Sequence, residues 1–121
     1  MPAQTFESFF RGLKKAVPSG AYYFLGAEDV LKEEAVRALV DRALDPSLRD
    51  FNLDQRPAAQ LDPESLFTLC TTLPMMAERR VVILREVEGI KRKPKLRAAL
   101  VKYLEQPAAE TVLAMVQSSG E

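Results

Sequence analysis

Gly26 and Lys32 come nearest to carrying chemistry in this 121-residue chain. They stand in the register of the phosphate-binding pattern G-x-x-x-x-G-K-[ST]. In that pattern the glycines let backbone N–H groups wrap a phosphate, the lysine neutralises it, and the hydroxyl holds magnesium. The stretch here reads Gly26-Ala27-Glu28-Asp29-Val30-Leu31-Lys32-Glu33. Leu31 takes the second glycine's place, where a side chain stops the backbone wrapping. Glu33 takes the place of the hydroxyl residue, and Glu28 and Asp29 put negative charge where a phosphate would sit. Two explanations fit: a phosphate loop that has lost its chemistry, or a chance spacing in an ordinary strand-turn-helix. Both predict that this loop does not bind nucleotide.

Other reactive groups are sparse. The chain has no histidine and one cysteine, so zinc and copper lack ligands and histidine-dependent triads are excluded. Cys70 follows Leu66, Phe67 and Leu69 and reads as a small core residue rather than a nucleophile. Asp41, Asp45, Asp50 and Asp54 fall on a helix end, a loop and a strand, and read as solvated surface rather than a metal site. Glu78-Arg79-Arg80 reads as surface ion pairs of little energetic weight. No two groups make an acid and base pair, and no cofactor or metal is expected. Seventeen Lys and Arg balance seventeen Asp and Glu, so no global field draws DNA, RNA or anionic lipid. The run Lys91-Arg92-Lys93-Pro94-Lys95 reads as a solvated loop and helix start, with a local DNA-phosphate contact as the alternative. No apolar run approaches the ~20 residues that cross a bilayer. The opening MPAQTFESFF lacks the charged and apolar regions of a secretory signal. Together with the lone cysteine, this predicts a cytoplasmic protein without membrane contact.

The elements that position these residues follow from hydrophobic periodicity. Phe6, Phe9, Phe10, Leu13 and Val17 recur at helical spacing up to Pro18-Ser19-Gly20, and this aromatic stripe is expected to pack on the domain's own sheet. Ala21 to Leu25 reads as a strand. A helix follows, with Val36, Leu39, Val40, Ala43 and Leu44 on one face, and Asp45-Pro46 stops it. Phe51-Asn52-Leu53-Asp54 alternates and reads as a second strand. Asp62-Pro63-Glu64 is a helix start, with Leu66, Phe67, Leu69 and Cys70 as the apolar face. Val81 to Leu84 is a third strand, and Thr111 to Val116 a fourth. The helix between them begins at Pro94 and turns Leu96, Leu100, Val101 and Leu104 inward. Strands alternating with helices predict one α/β domain with a parallel sheet flanked by helices. The chain stops five residues after the fourth strand, which predicts a piece of a longer chain cut at a domain boundary.

The connection Thr72-Leu73-Pro74-Met75-Met76 is anomalous. Pro74 ends the preceding helix near Leu73, and the chain must then descend into the strand at Val81. Two large flexible hydrophobes there have two explanations. They fold back over the sheet edge and cap the core, or they plug a pocket on another protein, a role that suits the adaptable thioether of methionine.

Four segments in order, YYFLGAEDVLKEEAV, FNLD, LFTLCTTLPMMAERRVVILRE and LVKYLEQPAAETVLAMV, cover most of residues 21–116. Together they resemble the N-terminal domain of the delta subunit of the bacterial DNA polymerase III clamp loader. The resemblance implies an AAA+-like fold, related to P-loop NTPases, with a decayed nucleotide site at Gly26, Leu31, Lys32 and Glu33. It implies no intrinsic enzymatic activity, although the parent assembly is the DNA polymerase III holoenzyme. The implied partner is the sliding clamp, or beta subunit, whose ring such a subunit helps to open for loading onto DNA. Contacts to the other loader subunits would run through domains absent here, and DNA would be touched only indirectly or weakly. The family's clamp-contact motif resembles Gln-Leu-Ser-Leu-Phe, which falls on Thr72, Leu73, Pro74, Met75 and Met76. Thr72 stands for the glutamine, and Met75 and Met76 for leucine and phenylalanine. Two rival functions remain: a P-loop-like nucleotide-binding enzyme, against which Leu31 and Glu33 argue, and a DNA-binding domain using residues 91–95.

Overall fold

The computed structural model describes residues 4–118. The expectations about the first residues and the chain's end therefore lie, in part or whole, outside the described residues. Helix α1 (Phe6–Lys15) begins where the Thr5 hydroxyl accepts from the Ser8 amide at 3.0 Å. Strand β1 (Gly20–Phe24) leads to α2 (Asp29–Ala43). A 3-10 turn at Pro46–Leu48 runs into the short α3 (Arg49–Asn52), and β2 (Leu53–Pro57) follows directly. After α4 (Pro63–Thr71) come β3 (Arg80–Arg85), a 3-10 segment at Val87–Arg92, α5 (Pro94–Glu105) and β4 (Thr111–Val116).

All four strands pair in parallel in the order β1-β4-β3-β2. The uninterrupted apolar runs of β3 and β4 follow from cover on both faces. Val81, Ile83, Val112, Ala114 and Val116 point into one core with Phe9, Leu13, Val36, Leu39 and Val40 of α1 and α2. Val82, Leu84, Leu113 and Met115 point into the other, with Leu66 and Cys70 of α4 and Leu96, Leu100 and Tyr103 of α5. The α1 stripe packs on its own domain: the Phe9 ring meets Phe24 edge-on at 5.1 Å and Tyr22 at 5.7 Å. Asp62 caps α4 through the Ser65 amide at 2.7 Å, ahead of Pro63 in the first turn.

Several expectations shift. Phe51 and Asn52 close a helix instead of opening β2, because the turn begun at Pro46 continues into α3. Phe67 and Val101 face solvent. On α5 the place expected for Val101 goes to Tyr103, whose hydroxyl donates to the Cys70 carbonyl at 3.2 Å. Arg80 is no surface residue. It opens β3, is buried, and pairs with Asp54 on β2. Only Arg79 and Glu78, 3.5 Å apart, make the expected surface pair.

Candidate functional site

α4 ends at Thr71, and Thr72 forms its C-cap with its amide on the Thr68 carbonyl at 3.0 Å. The Thr72 hydroxyl also donates to the Thr68 carbonyl, at 2.6 Å, so this side chain is turned back onto the helix. The chain then crosses open surface before β3. Leu73 is 71% exposed, Met75 55% and Met76 84%. None of the three belongs to either core. Three large apolar side chains on one surface loop are a feature to be explained, whereas scattered single ones are normal.

The backbone under this loop is held firmly. Asn52 is fully buried, and its side-chain oxygen accepts from the Met75 amide at 2.7 Å. Its side-chain nitrogen donates to the Met75 carbonyl at 2.8 Å and to the Leu48 carbonyl at 2.9 Å. The carboxamide thus pairs with Met75 as a strand neighbour would, satisfying both backbone groups. One residue on, Met76 has φ 58°, in the left-handed region that a side chain disfavours. Arg80 braces the same corner, with one guanidinium nitrogen on the Phe51 carbonyl at 3.2 Å and another on the Asp54 carboxylate. Sequence reading finds the loop but misses Asn52 and Arg80. The only local signal is a polar residue between Phe51 and Leu53, and the partner that matters for the loop, Met75, lies 23 residues away.

The phosphate-loop position is filled by the protein itself. Gly26 has φ +121°, closing β1 into the turn. Lys32 is 2% exposed, and its Nζ donates to the Gln117 carbonyl at 2.7 Å and pairs with Asp29 at 3.1 Å. Glu33 receives both terminal nitrogens of Arg85, the last residue of β3, one of them at 2.9 Å. Leu31 is half-buried beside them. The side chains at the lysine and hydroxyl positions of the motif thus tie the start of α2 to the ends of β4 and β3.

The remaining candidates are placed as follows. Cys70 is buried, and burial pushes its thiol up to about 12, against the pull of Arg80's charge. The four aspartates do not converge. Asp45 caps the Ser47 amide at 3.0 Å, Asp41 pairs with Arg49 at 2.5 Å, and Asp54 with Arg80. Among the described residues no group of three or more potential ligands surrounds a metal-sized space. Lys91, Arg92, Lys93 and Lys95 are exposed, with Lys93 donating to the Ala59 carbonyl. No helix among the described residues is long and apolar enough to cross a membrane.

A family model described as DNA polymerase III, delta subunit, matches residues 22–121. DNA polymerase III subunit delta of Bacillus subtilis (strain 168) is 29% identical over 113 residues, 88% of this chain and 33% of that protein. Among solved structures, the Bacillus subtilis DNA clamp loader delta protein superposes with a TM-score of 0.86 at 26% identity, over 97% of this chain and 36% of that one. A DNA polymerase III gamma subunit-related protein of Thermotoga maritima matches with a TM-score of 0.63 at 17% identity, over 94% of this chain and 39% of that one; this likeness concerns the fold alone. The chain spans about a third of the length of the curated relative it matches.

Proposed function

Because the chain belongs to the DNA polymerase III delta subunit family, we propose that it is the N-terminal, AAA+-like domain of a clamp-loader subunit and that its Met-Met loop binds the sliding clamp. The observation that carries this reading is the exposure of Leu73, Met75 and Met76 on a loop whose backbone is fixed from beneath. These side chains enter an apolar pocket on the clamp. Burying each contributes ~1.5–3 kcal/mol before the costs of association are subtracted. Pro74 stands between the first anchor and the second. Thr72 has no side-chain amide to offer the partner, and its hydroxyl is spent on its own helix.

The action is mechanical rather than catalytic. A binder opens a ring only by holding the open form more tightly than the closed one. The domain does so as one part of a longer chain, whose remaining portions join the other loader subunits. It works in the cytoplasm, touches DNA only indirectly or weakly, and has no intrinsic enzymatic activity. The engagement of Lys32 and Glu33 supports a site that takes no nucleotide. The exposed run 91–95 stands apart from this role.

The test is calorimetric titration of this domain with the sliding clamp of the same organism, for the native chain and for Met75→Ala/Met76→Ala. Binding by the native chain that the double substitution abolishes, with little dependence on salt, is the expected result. A folded native domain that does not bind would return the loop to a cap on its own core and overturn the proposal.

A further inference from the structure

We infer that Asn52 is a positioning residue for the Met75–Met76 plug, holding the loop in its binding conformation before the partner arrives; this rests on the clamp-binding reading. The observations are local and mutually consistent. A wholly buried carboxamide makes three hydrogen bonds, two to both backbone groups of Met75 and one to Leu48, which ends the 3-10 turn and caps α3. The Met75 side chain itself remains more than half exposed, so this grip fixes the main chain and leaves the anchor free. The next residue, Met76, has a left-handed backbone that is unfavourable for a side chain and persists only where the surroundings impose it.

The Asn52 clamp is the nearest such constraint, and its own footing is rigid. Leu48 and Asn52 bracket α3, and Arg80 holds the Phe51 carbonyl between them. A loop ordered in advance loses less freedom on binding, which raises affinity without adding a contact. Asn52 thus acts on the partner through Met75 and touches nothing outside its own chain.

The experiment combines clamp titration with amide hydrogen exchange of the free domain, for the native chain, Asn52→Ala and Met75→Ala/Met76→Ala. Three results together are expected. Asn52→Ala stays folded but binds the clamp about tenfold more weakly. The Met75 amide, protected in the native domain, exchanges freely in Asn52→Ala while the amides of β3 and β4 stay protected. The double methionine substitution removes binding with the Asn52 grip intact. If Asn52→Ala binds as the native chain does while the double substitution abolishes binding, the positioning role falls and the plug stands. If the folded native domain does not bind, both fall. Should Asn52→Ala fail to fold, the native domain decides: slow exchange at Met75 supports the clamp, and exchange at the rate of an unstructured peptide overturns it.

Discussion

Replacing Met76 separates the two explanations of the loop, because a core cap and a partner plug respond oppositely. Met76 is 84% exposed and belongs to neither core, so Met76→Ala removes no internal packing. The fold should keep its stability within ~0.5 kcal/mol, as for surface positions generally. Met76→Gly should do slightly better. At φ 58° a side chain costs ~1–2 kcal/mol that glycine does not incur, offset in part by ~0.4–1 kcal/mol from the freer unfolded chain. The net gain lies between about 0 and 1.6 kcal/mol, a rise of up to several degrees in melting temperature for a domain of this size. Clamp affinity should move the other way. A buried anchor of this size is worth more than ~1.4 kcal/mol on truncation, so both variants should bind ~10-fold or more weakly. Thermal melts and calorimetric titration of the three proteins give both quantities. An unchanged dissociation constant refutes Met76 as an anchor. A melting temperature lowered by many degrees in Met76→Ala refutes its exposure and restores the core cap.

Asp54→Ala should destabilise the domain by about 2–3 kcal/mol in chemical denaturation, because it leaves the buried Arg80 guanidinium without its charged partner. The estimate is at the low end because Asp54 is itself partly exposed. Asp62 should contribute to the acid limb of stability. The Ser65 amide holds its carboxyl below the usual aspartate range, so the contribution is full above the ordinary value and is lost as pH falls through the lower folded value; Asp62→Asn should flatten that limb in pH-dependent melts. Cys70 should resist thiol reagents at pH 8, its thiolate fraction being on the order of 10⁻⁴, and react only as fast as the domain opens; prompt modification of the folded protein would contradict its burial.

What the sequence discloses depends on whether the cause is local. Val81–Leu84 and Thr111–Val116 announce themselves because a strand covered on both faces must be apolar throughout, and the structure places β3 and β4 there. Asp62-Pro63 announces a helix start because cap and first turn are neighbours in the chain. FNLD misleads for the complementary reason. Its alternation suits a strand, yet Phe51 is exposed and Asn52 buried, the reverse of what a strand packed on a core requires. The energy that holds Asn52 inside comes from Met75 and Leu48, and period counting does not see hydrogen bonds between distant segments. Arg80 is hidden in the same way, since a charge reads as surface until its partner on another strand is known. Phe67 and Val101 show that an apolar type at roughly the right spacing does not guarantee burial, and Tyr103 that a half-polar one does not preclude it. The Met-Met loop is legible because it breaks a rule, and its footing is not.

The stitching of Lys32 to Gln117 and of Glu33 to Arg85 bears on timing. In a working phosphate loop the lysine has two circumstances, with and without a triphosphate, and neighbouring segments shift between them. Here its ammonium is already satisfied inside the chain and sealed from water, so there is no vacant state to differ from an occupied one. A part built this way keeps no clock. On the proposed clamp-binding reading, any rhythm of catch and release would come from outside this lysine, from whatever hides or reveals Leu73, Met75 and Met76.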